Sequence, residues 1–280
     1  MNKFTTAVDM QQSADAWRTQ GRRIALVPTS GSLHAGHLAM IREARKSADV
    51  VVVSIFVNPL QFAANEGFAG YPRHLEGDLA LCEQEGVDAV FAPAAEEIYP
   101  KGYSTFVVEE LVAKPLCGIS RPTHFRGVTT LYVNLLNLVQ PQLLVLGQKD
   151  AQMVAVVRKM IADLHFKADI TVIPIAREAD GIACHVRNAD LTTNQRQDAI
   201  ALHRALVRAK EMADSGVKSV DRVVAEVTHI LRQQRRVRVI YISVVDPSSM
   251  EPMREIVPGS SLLAIAAWVD EVRLTDNALL

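Results

Sequence analysis

Through the first two thirds of the chain, short apolar runs alternate with amphipathic stretches. Residues 50–57 (VVVVSIFV) carry a single polar position, so a strand there needs cover on both faces, as in a parallel sheet. Residues 24–27, 89–92, 105–108, 143–146 and 170–173 read as further strands. Helical spacing of apolar residues marks 9–20, 38–47, 75–85, 128–139 and 151–164. Gly86 is placed to cap the third of these, and Pro141 stops the fourth. The alternation predicts an α/β fold: a doubly wound, Rossmann-like parallel sheet with right-handed crossovers. Beyond Arg177 the rhythm changes. Residues 193–215 and 220–234 are long amphipathic helices, 237–245 and 262–269 are strands, and 272–274 extends the second strand. These predict a smaller α+β domain with an antiparallel sheet, dividing the chain into 1–176 and 177–280.

Composition narrows the class. The 280 residues are 49% hydrophobic and 22% charged, a globular balance. A net charge of −1 lacks the basic excess of nucleic-acid proteins, so no nucleic-acid partner is expected. Cys82, Cys117 and Cys184 are odd in number and widely spaced, which fits a reducing compartment. The first residues are polar without a signal-peptide core, and no apolar run approaches the ~20 residues of a membrane span. A cytoplasmic protein with no membrane partner is the expectation.

The candidate chemistry centres on residues 28–40, PTSGSLHAGHLAM. The stretch lies where a strand ends and a helix begins. There the first-turn N–H groups are unpaired and the helix dipole is positive, so an anion is favoured. Gly31 and Gly36 allow a phosphate to approach the backbone. His34 and His37, three apart, share a face and can donate to phosphate oxygens as charge builds up. Two other readings stay open: metal ligands, for which no third ligand has obvious spacing, or a pair of structural histidines. The polar clusters at 58–61 and 147–150 also follow strands, so all three should converge at the carboxyl ends of the sheet.

Further motifs accompany the box: SIFVNPLQF (54–62), YPR (71–73), RPTHFRGV (121–128), GQKD (147–150), READGIACHVRN (177–188) and LLAIAAWVDEVRLTDN (262–277). In this order and spacing the chain resembles the pantothenate synthetase (pantoate–β-alanine ligase) family, related to the HxGH nucleotidyl transferases, over nearly its whole length. The resemblance implies ATP, with Mg2+ carried on its phosphates. It implies attack of a carboxylic acid on the α-phosphate, capture of the acyl-adenylate by an amine, and a homodimer. His34, His37, Lys149 and Arg187 match the catalytic, phosphate-facing positions. Thr29, Ser30, Gly31, Gly36, Gly147, Asp150, Ala176 and His185 match the remaining ATP positions. Pro28, Ser30, Gln61, Phe62, Arg121 and Met153 match the acid pocket, and Asp78 an acidic residue near the Mg2+ or amine. His124 reads as structural.

The chain departs from the family at the site itself. The family usually has PTMG where Ser30 stands here, a glutamine where Met153 stands, and MSSRN where this chain has Cys184-His185-Val186-Arg187-Asn188. Two outcomes stay open. The Ser30 and Met153 changes compensate each other for pantoate, or the chain is a paralogue using a less hydroxylated or bulkier acid, another amine, or both. A weakly active relative kept for binding is disfavoured by His34, His37, Lys149 and Arg187. A transferase acting on a phosphate ester is disfavoured by the Gln61 and Arg121 motifs. With both serine hydroxyls gone, a protonated His185 should compensate, so ATP affinity should fall as pH rises past about 6.5.

Overall fold

A computed structural model describes residues 1–63 and 67–280. Among them, β1 (Asn2–Phe4), β2 (Ile24–Thr29), β3 (Val50–Ile55), β4 (Ala89–Phe91), β5 (Leu143–Gly147) and β6 (Asp169–Ile173) form a parallel sheet. Its order is β1-β4-β3-β2-β5-β6. β2 pairs with β3 from Ile24↔Val50 to Thr29↔Ile55, and every residue of β3 is buried. Period-two alternation splits the core between two faces. Ile24, Leu26, Val50 and Val52 pack with α1 (Ala7–Thr19), α6 (His124–Val139) and α7 (Ala151–Asp163). Ala25, Val27, Val51 and Val53 pack with α2 (Ala35–Ser47) and α3 (Leu75–Gln84). Each fully buried aliphatic side chain contributes roughly 1.5–3 kcal/mol, so the apolar runs dictate the sheet. Two single-turn helices, α4 (Ala95–Ile98) and α5 (Cys117–Ser120), punctuate the connection from β4 to α6.

The C-terminal part packs α8 (Thr193–Asp214) and α9 (Val220–Arg232) on an antiparallel sheet. Its strands β7 (Val237–Val245), β8 (Leu262–Val269) and β9 (Val272–Leu279) lie in that order. This part has its own apolar cluster, with Leu206, Val223, Val227, Leu231 and Ile265 inside. Val245, Met250, Leu262 and Ala264 instead join the core beneath the large sheet.

The fold class agrees with the pattern; three of the strands differ. Residues 105–108 form no strand. The Val107 N–H donates to Thr130 Oγ1 (3.1 Å), and Thr129 Oγ1 donates to the Val107 carbonyl (2.6 Å), so hydroxyls of α6 replace a ladder. Residues 272–274 do not extend β8. The chain reverses at Asp270 (φ 49°) and returns as β9, with Trp268 opposite Arg273. β1, not foreseen, closes the sheet edge beside β4.

Candidate active site

The order of the large sheet reverses between β2 and β5, the point at which such sheets open a crevice. A cleft of about 290 Å3 lies there. Pro28, Thr29, Gly147 and Ile173 line it from the strand ends, and Tyr241, Arg273, Thr275 and Asn277 from the small sheet. Most residues singled out from the sequence meet in this cleft: Ser30, Gly31, His34, Gly36, His37, Gln61, Arg121, Lys149, Asp150, Met153, Ala176 and His185 join the strand-end residues. Phe62, Asp78 and Arg187 do not line it.

The loop after β2 turns through two successive left-handed residues, Gly31 (φ 80°) and Ser32 (φ 50°). Asp78 holds it from below. This carboxylate is 2% exposed and accepts the N–H groups of Ser32 (2.8 Å) and Leu33 (2.7 Å). Its oxygens are therefore engaged with backbone rather than turned to a ligand. The loop delivers His34 as the N-cap of α2. His34 Nδ1 accepts the Gly36 N–H (3.2 Å), and His37 Nδ1 accepts the His34 N–H (3.2 Å). This is a capping box built from imidazoles, an arrangement usually made with hydroxyls and carboxylates. An acceptor Nδ1 fixes each ring as the Nε2–H tautomer. Burial, and then the neighbouring Lys149, lower the His34 pKa. Burial, then His34 and Lys149, push His37 down to about 3. At neutral pH each ring thus offers one Nε2–H, and neither Nε2 has a protein partner among the described residues. No group of three or more His, Cys, Asp or Glu side chains among the described residues is placed to hold a metal ion.

The 3-10 turn Gln148–Asp150 follows β5 and rests on β9. Asn277 Nδ2 donates to the carbonyls of Gln148 and Lys149, both at 3.0 Å. Lys149 Nζ reaches Thr275 Oγ1 (3.4 Å) and lies 3.8 Å from Asp150. Arg177 makes a two-pronged pair with buried Asp276 (2.7 and 3.0 Å), pinning the chain after β6 to the same strand. His185 sits in the cleft with a buried Nδ1 that has no hydrogen-bond partner among the described residues. Burial, then Lys149 and Arg187, hold its pKa well below 6.5. The protonated His185 expected from the sequence is thus opposed by burial and by the cations beside it. Arg187 lies outside the cleft wall, in the 3-10 turn Val186–Asp190, close enough to influence His185 and Tyr71.

At the other end, the 3-10 turn Pro59–Gln61 carries Gln61 into the cleft. Asn58, 1% exposed, caps the turn through Leu60 N–H (3.1 Å) and donates to the Gly127 carbonyl (2.9 Å). A Cβ on Gly127 would lie 2.4 Å from the Leu60 carbonyl oxygen, so this close packing requires glycine. Arg121 Nη2 donates to the Gln61 carbonyl (3.1 Å), which also meets His124 Nδ1 (3.1 Å). Ser30 Oγ is 2.8 Å from Tyr71 Oη. Met153 Sδ receives the buried Tyr132 hydroxyl at 3.7 Å. Phe62 packs edge-on behind Tyr71, with ring centres 5.5 Å apart. Gln152 is 7% exposed and spends its amide on Cys117 N–H and the carbonyls of Val112 and Pro115. Tyr71, Tyr132, Tyr241, Arg273, Thr275 and Asn277 were given no role from the sequence. The YPR and LTDN motifs carried the signal for Tyr71, Thr275 and Asn277.

The family model described as Pantoate-beta-alanine ligase matches residues 2–279. A pantothenate synthetase of Heliobacterium modesticaldum is 48% identical over 258 residues, covering 92% of each chain. The crystal structure of pantothenate synthetase from Thermus thermophilus superposes with a TM-score of 0.94. It is 38% identical and covers 100% of this chain and 99% of its own. Pantoate-beta-alanine ligase from Francisella tularensis, solved with beta-gamma ATP and beta-alanine, has a TM-score of 0.82 at 28% identity. That match covers 100% of this chain and 97% of the other. With this fold, this cleft and these relatives along its whole length, the chain belongs to the pantoate–β-alanine ligase family.

Proposed function

We propose that the protein joins pantoate to β-alanine at the expense of ATP, through a pantoyl-adenylate. A pantoate carboxylate oxygen attacks the α-phosphorus, and the bond to the β-phosphate oxygen breaks to release pyrophosphate. The β-alanine amine then attacks the acyl carbon and loses a proton to solvent, and AMP leaves with the bonding electrons. The observation that carries this reading is the reciprocal cap, which presents two neutral Nε2–H donors, from His34 and His37, at a switch-point cleft. Donors fixed in advance where charge develops need no reorganisation during reaction. Lys149 adds a mobile positive charge to the phosphates, with Arg187 and His185 behind it. The unpartnered His185 Nδ1 fits a polar group of the nucleotide. Thr29, Gly31, Gly36, Gly147, Asp150 and Ala176 shape the nucleotide wall, and Mg2+ enters on the ATP phosphates, neutralising part of their charge.

For the acid, Gln61 and the Ser30–Tyr71 pair offer polar partners to the pantoate hydroxyls, and Met153 supplies apolar bulk. The exchange of residues at 30 and 153 is thus read as compensated. Arg121 and Pro28 complete that wall, Phe62 supports Tyr71, and Asp78 positions the loop before His34. We also propose a boundary between folding units at 176/177, a cytoplasmic location, which three free cysteines fit, and a homodimer. No helix among the described residues is long and apolar enough to cross a membrane. The test is ATP–pyrophosphate exchange across a panel of carboxylic acids, which reports adenylation without the amine. Pantoate should be the best acid by at least about tenfold; another acid ahead by that margin overturns the assignment.

A further inference from the structure

We infer that Arg273 receives the carboxylate of the amine substrate, so that β9 forms part of the wall that selects the amine. The inference rests on the ligase reading above. β9 alternates: Val272 and Leu274 are buried in the apolar cluster under α8 and α9, while Arg273 and Thr275 line the cleft. Arg273 is half-buried, and among the described residues its Nη2 makes two long contacts, to Cys117 Sγ at 3.5 Å and Ser120 Oγ at 3.4 Å. Among the described residues no carboxylate lies within ion-pair distance of it. Arg177, four residues beyond β6, shows the contrast, since it is neutralised by Asp276 through two short bonds. A guanidinium partly withdrawn from water without a counter-charge costs free energy that a bound anion offsets.

The chemistry supplies one anion in excess. Of the two carboxylates that enter, the pantoate carboxylate is consumed as its oxygen bonds to phosphorus, at the His34, His37 and Lys149 end. The β-alanine carboxylate survives into product and needs its own cation away from the phosphates. Arg273 lines the cleft from the small sheet, beside α5, the turn that leads into Arg121. Tyr241 Oη, 3.1 Å from Cys117 Sγ, is a second donor beside it. Burial pushes the Tyr241 phenol up, so it keeps its proton.

The competing explanation is a pin that fastens α5 to the small sheet. Arg273→Gln separates the two, because an amide can still donate to Cys117 and Ser120 but carries no charge. In the full-length protein, Arg273→Gln should raise KM for β-alanine at least about tenfold, or 1.4 kcal/mol. ATP–pyrophosphate exchange with pantoate should stay within about threefold of wild type, since the amine takes no part in it. The preference for β-alanine over propylamine, which lacks the carboxylate, should shrink by a similar factor, and Arg273→Lys should recover part of it. Wild-type exchange with pantoate, run alongside, reports the ligase reading by itself. The inference is overturned if Arg273→Gln leaves both KM and the propylamine ratio unchanged, or if exchange and amide formation fall together.

Discussion

Each imidazole of the HxGH box performs two tasks with its two nitrogens. Nδ1 accepts a backbone N–H and so completes the start of α2, which leaves Nε2–H as the donor. His34→Ala or His37→Ala should therefore lower ATP–pyrophosphate exchange at least ~100-fold, since one preorganised donor is worth roughly 2.7–4 kcal/mol. Thermal unfolding of the same variants should show a loss of ~0.5–2 kcal/mol for the broken cap. Wild-type exchange rates in both variants would leave the pair a structural role alone. The same burial bears on how nucleotide affinity should depend on pH. His34, His37 and His185 all have lowered pKa values, so each ring favours its neutral form between pH 6.5 and 8. Calorimetric Kd values for ATP should change less than about twofold from these rings in that range, and a steady weakening as pH rises past 6.5 would restore a protonated His185. Asp78 gives a third test. Replacing it with Ala strands two loop N–H groups that a buried carboxylate now accepts, at roughly 1–3 kcal/mol each if both stay dry. Asp78→Ala should lower both the urea midpoint and exchange, whereas loss of exchange alone at unchanged stability would point to direct contact with substrate.

Elements with a purely local signature were legible in the sequence; elements defined by distant partners were not. β3 announced itself because its residues are buried on both faces, and α2 because its apolar spacing begins at a histidine box. β9 hid because RLTDN reads as polar. Its Asp276 and Asn277 are 4% and 5% exposed, and their partners Arg177, Gln148 and Lys149 lie far away in the chain. The segment 105–108 misled in the opposite sense. Its apolar character suggested a strand, but its hydrogen bonds go to two threonines of α6, which no periodicity records. The site divides the same way: the HxGH box, GQKD and Gln61 were legible as motifs, whereas Tyr132, Tyr241 and Arg273 enter through folding. The contact between α6 and the Pro59–Gln61 turn depends on a missing side chain. Gly127→Ala would set a methyl group 2.4 Å from the Leu60 carbonyl oxygen, so the turn must move. Overpacking of this kind costs about 1–3 kcal/mol. Because the turn carries Gln61, KM for pantoate should rise several-fold more than KM for ATP. An unchanged pantoate KM in a folded Gly127→Ala protein would show that the turn does not position the acid.

At the scale of the molecule, the two sheets are tied across the cleft by polar contacts. The Arg177–Asp276 pair and the Asn277 bonds to the Gln148–Lys149 turn hold the small sheet over the phosphate end. That arrangement crowds imidazoles and cations into one desolvated space. His34, His37 and His185 face Lys149, and His203 behind them has its pKa lowered by burial and then by Arg177. Stability must then depend on pH in a definite direction. An unfolded histidine titrates near 6.5, whereas folded His37 titrates near 3. Between those values the unfolded chain holds a proton that the folded chain lacks, so stability falls as pH drops through the window and is flat above it. For His37 the slope approaches about 1.4 kcal/mol per pH unit, and the other three rings act in the same sense. Carboxylates with ordinary unfolded values near 4 contribute chiefly at the lower end, so the interval from pH 7 to 5 isolates the histidines. The urea midpoint should therefore drop markedly from pH 7 to pH 5. His203→Asn, outside the box that caps α2, should reduce the drop, and saturating ATP should not abolish it if the rings stay neutral when nucleotide binds. A midpoint constant from pH 7 to 5 would mean that these histidines take up protons in the folded state, and the tautomers assigned to His34 and His37 would have to be abandoned.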